Sequence, residues 1–425
     1  MILSPQLRYR TDGICYHPRI GYFAVPDLWI DLFDARNRQS GDFSAAASPA
    51  KSADIRKRLL ELGLVSDDVE PTAIQYKRPL PDFGEETTAP LDAEIYPTYR
   101  CNHNCRFCSS GDRVSRSDDY QDLPPEWIDE IAERLDKVGL FNVGIVGGEP
   151  FLYRHLDRLI DALISRGMQV QLTTNASVSP YKIAAVYRSG LHLAISIHGA
   201  NAEENDLLTG QPGSFSRAVR AISYLIREGI PVRIISVIET PSVERIRRLA
   251  KYWYDLGLTE MTFNRAIPIG KARQYQYKMW DAESILRLEG FANETNGDCH
   301  IKIHAGLPFQ LSVSPQDQGT PFYLKADKRC DAGIRGIYID PSADLYPCEL
   351  LAKEKFKLGN LLSDNWPELL INSPVLSYLR SLSTPNTCLV CSYADICRGG
   401  CPGLQDDDET RISLPMPLCP FTNLS

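Results

Sequence analysis

Three cysteines, Cys101, Cys105 and Cys108, stand in the run Cys101-Asn102-His103-Asn104-Cys105-Arg106-Phe107-Cys108. A single loop can wrap such a run around one face of a [4Fe–4S] cube, because cluster irons take cysteine thiolates. Three thiolates for four irons leave one iron open to a ligand from outside the chain. Structural zinc normally takes four closed ligands. His103 is on hand as a fourth, so the residue types alone admit both metals. Seven of the twelve cysteines lie further on, as Cys330, Cys348, Cys388, Cys391, Cys397, Cys401 and Cys419. These too could hold iron–sulfur clusters or zinc. Only Cys15 and Cys299 fall outside the two groups. Cys15 lies in an expected strand and reads as a buried apolar residue. Cys299 reads as a ligand, a thiol hydrogen donor or a core residue.

The elements that must position these thiols follow from the hydrophobic pattern. In residues 1–70, Ile14 to Val25 forms two short strands about a Pro/Gly turn. Leu28 to Phe33 begins a helix, Gly41 to Ser52 is a small-residue loop, and Asp54 to Leu64 is an amphipathic helix. Residues 71–92, rich in Pro, Glu and Thr, form a linker. From Ala93 a βα rhythm begins, with strands expected at Ala93–Thr98, Phe141–Val146, Met168–Thr174, Leu191–Ile197, Val232–Ile238 and Glu260–Arg265. Helical stretches such as Pro124–Val138, Arg154–Arg166, Phe215–Glu228 and Ser242–Leu256 lie between them. Strands alternating with amphipathic helices imply a parallel sheet. The expected fold is therefore α/β, a partial (β/α)6 TIM-like barrel over residues 93–296, with chemistry at the C-terminal ends of the strands. The first cysteine group and Gly147-Gly148-Glu149-Pro150 both follow directly on an expected strand. Beyond about residue 296 the rhythm stops. Residues 297–425 are rich in loops and cysteines, with too few long apolar runs for a large core, and metal centres could take that core's place.

The C-x3-C-x2-C spacing, with aromatic Phe107 before its last cysteine, resembles the signature of the radical SAM superfamily. The resemblance implies that the open iron chelates S-adenosylmethionine (SAM) and that a 5′-deoxyadenosyl radical then takes a hydrogen from the substrate. Gly147, Gly148, Glu149 and Pro150 match that family's GGEP motif, whose backbone and acid hold the methionine amino group. Thr174 and Asn175 at the end of the third strand, and Ser196 at the end of the fourth, resemble positions that contact SAM. Arg265 at the end of the sixth is a candidate for SAM's carboxylate or for substrate. His198, beyond Ser196, reads as a structural histidine.

Cys388-x2-Cys391-x5-Cys397-x3-Cys401, followed by Cys419, resembles the SPASM extension of peptide-modifying radical SAM enzymes. Cys330 and Cys348 correspond to an upstream element of that extension, with Ala343 where the family usually has Gly. The resemblance implies two auxiliary [4Fe–4S] clusters, three clusters in all. Cys388, Cys391, Cys397 and Cys419 would hold the distal one, and Cys330, Cys348 and Cys401 the nearer, with Cys299 as a candidate fourth ligand. The order of elements in residues 1–70 resembles the RiPP recognition element, a PqqD-like winged-helix module that binds the leader of a ribosomally made precursor peptide. Such modules add the leader's strand to a sheet edge.

The resemblance thus implies an oxidoreductase that matures a precursor peptide, forming an intramolecular cross-link (C–C, C–S or C–O) with net loss of two hydrogens. The alternatives are sulfatase maturation, dehydrogenation of a small molecule, or peptide epimerisation. A flavodoxin or ferredoxin would supply electrons. The net charge of −8, from 54 acidic against 46 basic residues, argues against a nucleic-acid partner. The sequence has no apolar run long enough to span a membrane, and its first residues, MILSPQLRYR, lack the apolar stretch of a secretory signal. The expected location is cytoplasmic, where clustered cysteines are metal ligands rather than disulfides.

Overall fold

The structure, a computed structural model, describes residues 2–3, 8–9, 14–17, 21–24, 65–66, 90, 92–114, 121–274, 280–295, 300–304, 332–333, 336–404 and 419–421. The expected helices at 28–33 and 54–64, Cys299 and Cys330 lie outside these residues. Near the N-terminus, β1 (Ile2–Leu3) pairs antiparallel with β5 (Val65–Ser66). Strands β2 (Arg8–Tyr9), β3 (Ile14–His17) and β4 (Gly21–Ala24) form an antiparallel three-stranded sheet. The two strands expected between Ile14 and Val25 are β3 and β4. Cys15, fully buried, lies on the middle strand, opposite Tyr9 and Phe23.

The main sheet begins at β6 (Asp92–Ile95) and continues in chain order through β7 (Asn142–Ile145), β8 (Gln169–Thr174), β9 (Leu191–Ser196), β10 (Val232–Ile238), β11 (Glu260–Arg265) and β12 (His300–His304). Every neighbouring pair in this series is parallel. Alternation of burial along the strands sorts the side chains, as a two-residue period requires. Val170 and Leu172 of β8, Leu193 and Ile195 of β9, and Met261 and Phe263 of β11 turn into the main apolar core. The helices meet them there. In α1 (Ile128–Lys137), Ile128, Ile131, Ala132 and Leu135 are fully buried, the spacing that gives a helix one apolar stripe. The crossover helices α2 (Leu156–Ile164), α3 (Pro180–Ala185), α4 (Ala202–Thr209), α5 (Ser214–Arg227) and α6 (Val243–Asp255) follow in order, and all but the short α3 and α4 repeat that stripe. Next comes α7 (Ala282–Thr295).

Two expectations change. The βα rhythm does not stop at residue 296, because α7 leads into β12, a seventh parallel strand paired with β11 from Glu260↔His300 to Asn264↔His304. Its sequence, HIKIH, offers only two apolar residues and reads as a strand only once its partner is known. The tail also does not lack a core. Strand β13 (Gly336–Ile339) runs parallel to β6 on the sheet's other side, and β14 (Asp344–Tyr346) and β15 (Gly359–Asn360) continue antiparallel from it. Ile337, Ile339, Leu345, Phe356, Leu361, Trp366, Leu370 and Leu376 belong to the same apolar cluster as the barrel helices and strands. The tail's apolar residues were too scattered to suggest a core because they complete one built elsewhere.

Ala343, in the β13–β14 turn, adopts a left-handed backbone with φ of 62°. Its N–H donates to Asp340 O at 2.9 Å, and Asp340 Oδ1 accepts the N–H groups of Ser342 and Asp344. A three-residue hairpin loop ends in such a residue, usually glycine. Here the methyl group is fully buried in the core, and its burial, worth about 0.8 kcal/mol, offsets much of a left-handed strain of about 1–2 kcal/mol.

Candidate active site

The cysteine loop leaves β6 at the C-terminal end of the strands, and the segment after β7 meets it backbone to backbone. Gly148 N–H donates to Thr98 O (3.0 Å) and Glu149 N–H to Arg100 O (2.8 Å), immediately before Cys101. Side chains are excluded there. A Cβ on Gly148 would lie 2.0 Å from Arg100 O, and one on Gly147, whose φ is +123°, would lie 2.6 Å from Thr98 O. Both glycines are thus required by close approach. Arg100 anchors the entry to the loop with paired bonds to Asp122 at 3.1 and 2.5 Å and a third to Leu152 O at 2.6 Å.

Glu149 is buried, and three donors converge on its carboxylate. Oε1 accepts the Thr174 hydroxyl (2.6 Å) and Phe151 N–H (3.1 Å), while Oε2 accepts Asn175 N–H (2.8 Å). Burial pushes this carboxyl above its ordinary range and the three bonds pull it back. A carboxylate offers about four acceptor positions, so one is left on Oε2. Glu149 therefore ties the end of β8 to the loop after β7 and keeps one acceptor position unused by these three donors.

The loop is clasped around its whole length. Asn102 Oδ1 accepts Asn175 Nδ2 (2.8 Å), and His103 Nε2 pairs with Ser177 Oγ (2.7 Å), which turns His103 toward β8. Asn104 and Arg106 N–H groups donate to Thr209 O and Leu208 O, and the Arg106 guanidinium grips Glu239 with Nε at 2.7 Å from Oε1. Phe107 is buried with Leu208 and Ala266, edge-on to His198 at 4.5 Å. His198 is a structural residue: its Nδ1 accepts Val237 N–H (3.0 Å), and burial pushes its imidazole down to about 3. From the far side, Lys271 N–H donates to Cys108 O at 3.1 Å.

Cys101, Cys105 and Cys108 are free, half-buried thiols. Burial pushes Cys101 up to about 11 and raises Cys105 and Cys108 as well. Cys108 also raises Cys101, and Cys105 is raised by both Cys108 and Cys101. The protein therefore does not itself hold them ionised. A bound cation must, and thiolate–iron bonds supply one. Among the described residues no three His, Cys, Asp or Glu side chains converge as a single ion would require. Sulfurs on one zinc stand about 3.8 Å apart, from 2.3 Å bonds at tetrahedral angles, whereas sulfurs on separate irons of a cube stand further apart. The donor set fits a cluster.

The tail reaches this loop directly. Glu349, next to Cys348, accepts Ser110 Oγ and Ser109 Oγ (3.2 Å) on Oε1 and pairs with Arg113 at 3.6 Å. Tyr96 OH meets Ser110 Oγ at 3.1 Å, and Tyr96, Tyr338 and Tyr346 pack as one aromatic group beneath. Cys401 lies near the Cys348 segment, since Gly403 brings Cys401 Sγ and Leu350 Cβ together. In the last cysteine group, burial pushes Cys397 up to about 12, and Cys419, Cys388 and Cys391 add to the rise, so the four thiols share one neighbourhood.

Other expected positions differ in where they point. Ser196 is half-buried at the end of β9, on the strand face of Ala194 rather than that of Leu193 and Ile195. Arg265 lies over the Trp280 ring at 5.5 Å, on the helix-facing side of β11 with Met261 and Phe263; its neighbour Ala266 is what packs on Phe107. Asn102, Ser177, Glu239, Lys271 and Glu349 carried no signal in the sequence, because each is assembled by tertiary contact. Glu94, on the inner face of β6, also escaped notice. Its side chain keeps solvent access, while crowding by the surrounding protein, with Glu349 and Asp92 nearby, raises its carboxyl. A cavity of about 1100 Å³ opens at the opposite end of the strands, lined by Gln169, His192, Arg233 and Glu260, away from the cysteine loop.

Residues 95–261, which include the cysteine loop and Gly147–Pro150, match the model of the radical SAM superfamily. The mycofactocin maturase MftC of Mycolicibacterium smegmatis is 31% identical over 358 residues, covering 80% of this chain and 86% of that protein. The chain belongs to the radical SAM superfamily. It is accordingly an enzyme, and membership implies SAM and a [4Fe–4S] cluster. The antilisterial bacteriocin subtilosin biosynthesis protein AlbA of Bacillus subtilis is 25% identical over 324 residues, covering 74% of this chain and 68% of its own. In fold the chain is similar to Streptococcus suis SuiB bound to precursor peptide SuiA, with a TM-score of 0.74 and 18% identity over 98% of this chain and 99% of that one. The parallel sheet with its helical layer is thus the partial barrel of radical SAM enzymes. Among the described residues, no helix is long and apolar enough to cross a membrane.

Proposed function

We propose that this enzyme oxidises a ribosomally made precursor peptide, joining two of its residues by a C–C, C–S or C–O cross-link with net loss of two hydrogens. The observation that carries the reading is the junction of two cysteine systems in one sheet. The initiating loop at Cys101, Cys105 and Cys108 is bound through Ser109 and Ser110 to Glu349, beside Cys348 of the tail. A hydrogen abstraction alone needs only the first system; an oxidation also needs somewhere to put an electron, and the second stands next to it. The relatives named for mycofactocin and subtilosin, and the likeness to SuiB with its precursor peptide, support a peptide substrate.

In this reading Cys101, Cys105 and Cys108 hold the cluster, and Phe107 packs the loop against His198. Bound together, the reduced cluster and SAM supply the 5′-deoxyadenosyl radical that takes hydrogen from the peptide. Gly147 and Gly148 keep backbone against the loop, Glu149 offers its last acceptor to the methionine ammonium, and Asn175 and Ser196 line the same strand ends. Cys388, Cys391, Cys397 and Cys419 hold a distal auxiliary cluster. Cys348 and Cys401, with Cys330, hold a nearer one, and Cys299 is its candidate fourth ligand. The antiparallel sheet β2–β3–β4 within residues 1–70 suits a PqqD-like recognition unit, whose edge takes the leader as an added strand. Residues 71–92 link it to the barrel, and a flavodoxin or ferredoxin delivers electrons. The test is to reconstitute the protein anaerobically and incubate it with SAM, reductant and any short peptide that a neighbouring reading frame encodes. The reading expects 5′-deoxyadenosine and a product two hydrogen atoms lighter. Unchanged mass with deuterium taken up from solvent would replace cross-linking with epimerisation.

A further inference from the structure

A lysine from outside the cysteine loop is fastened across it. The turn Gly270–Gln274 after β11 lies flat on it. Lys271 N–H donates to Cys108 O at 3.1 Å, and Lys271 Nζ donates to Asn104 Oδ1 at 2.5 Å, between Cys101 and Cys105. The fit leaves no slack. A Cβ on Gly270 would lie 2.3 Å from Ser109 O, and one on Gly111 would lie 2.5 Å from Lys271 Cγ.

Lys271 is held against the loop at two points, by its backbone at Cys108 and by its ammonium at Asn104, so its charge is fixed beside the segment that carries all three cysteines. The other two cations of this loop are paired with carboxylates, Arg106 with Glu239 and Arg113 with Glu349. The Lys271 backbone bond already fastens the loop, so the loop's shape does not require an ammonium group. Its charge remains to be accounted for.

We propose that Lys271 sets the reduction potential of the cluster held by Cys101, Cys105 and Cys108, its tethered ammonium favouring the reduced state. The proposal rests on the assignment of these three cysteines as ligands. Reduction adds one electron and no bond changes. The cluster and its thiolates become more negative by one charge, and a fixed cation nearby stabilises that state by Coulomb attraction. Lys271 is thus a positioning residue that acts through the cluster rather than on substrate.

The test is a redox titration of the reconstituted full chain, followed by electron paramagnetic resonance without SAM or peptide. The relevant signal is the component that shifts when SAM is later added and is lost in a C101A/C105A/C108A variant. K271Q keeps a donor for Asn104 and the backbone bond but has no charge; K271M has neither donor nor charge. Both should bind the wild-type amount of iron and show about a tenfold fall in the reduced-to-oxidised ratio at a given potential, about 59 mV for one electron. K271R should restore most of the ratio. Wild-type titration by both neutral variants would overturn the proposal. So would failure of both to take up iron, which would confine Lys271 to holding the loop together. If the C101A/C105A/C108A variant instead keeps the SAM-sensitive signal, the ligand assignment itself fails, whatever the lysine variants do.

Discussion

Replacing Glu149 with Gln tests whether this residue is a structural tie between β8 and the loop after β7. Its carboxylate accepts Thr174 Oγ, Phe151 N–H and Asn175 N–H, and it is 1% exposed. An amide has one acceptor oxygen. Placed at the Oε1 position it serves Thr174 and Phe151, and its NH2 group confronts Asn175 N–H; flipped, it confronts Phe151 N–H. The Thr174 hydroxyl can rotate away, but a backbone N–H cannot, so one buried donor is stranded in either orientation. That costs about 1–3 kcal/mol. The bonds that survive lose their charge assistance, about 1 kcal/mol each. Removing a buried charge returns part of this, since burial already raises the carboxyl. The net is a loss of about 2 kcal/mol, roughly 30-fold in a local opening equilibrium. Hydrogen exchange of the segments carrying Phe151 and Asn175 reads that opening directly. Protection should fall about 30-fold in E149Q, and a T174V/E149Q double-mutant cycle should return a coupling of about 1 kcal/mol. Wild-type protection in E149Q would refute the reasoning.

Three further outcomes follow from single features. G148A places a Cβ 2.0 Å from Arg100 O, a backbone atom that cannot step aside. It should keep its far-UV circular dichroism but lose SAM binding in equilibrium dialysis, the local strain exceeding about 3 kcal/mol. His198 is held neutral by burial, down to about 3, whereas the unfolded chain titrates near 6.5. The unfolded state therefore binds the extra proton between those values, and stability falls as pH drops below 6.5, by about 2 kcal/mol at pH 5. In H198N, whose amide oxygen can replace Nδ1, the loss between pH 7 and pH 5 in urea unfolding should shrink by about that amount. For A343G, relief of left-handed strain and loss of a buried methyl nearly cancel. Its urea midpoint should move by less than about 1 kcal/mol, and a larger shift would show that one term had been misjudged.

Where local pattern and tertiary structure agree, the sequence could be read closely. Strands β10 and β11 have the expected ends, because the β-branched run VRIISVI and the alternating EMTFNR stand between clear helices. The thiol loop and the Gly147–Pro150 turn likewise announce themselves by residue type and spacing. What could not be read depends on partners distant in the chain. HIKIH becomes a strand beside β11, and Gly336–Ile339 becomes one beside β6, more than two hundred residues earlier. The seat of Phe107 on His198, the tether of Lys271 to Asn104 and the bond of Ser110 to Glu349 arise the same way. Each is a meeting of residues that no local periodicity encodes. Arg265 illustrates the converse. Its place at a strand end suggested a ligand contact, but strand parity turns its side chain over Trp280.

The central claim, that the loop at Cys101, Cys105 and Cys108 starts an oxidation completed beside the tail's cysteines, is tested most directly by mass spectrometry of a peptide reaction. Wild-type protein, a C101A/C105A/C108A variant and a C348A/C401A variant would each be reconstituted and given SAM, reductant and a precursor peptide encoded by a neighbouring reading frame. The account predicts 5′-deoxyadenosine with a product two hydrogens lighter from the wild type. It predicts neither from the first variant, and 5′-deoxyadenosine with little or no oxidised product from the second. Wild-type yields of the lighter product from the C348A/C401A protein would contradict it.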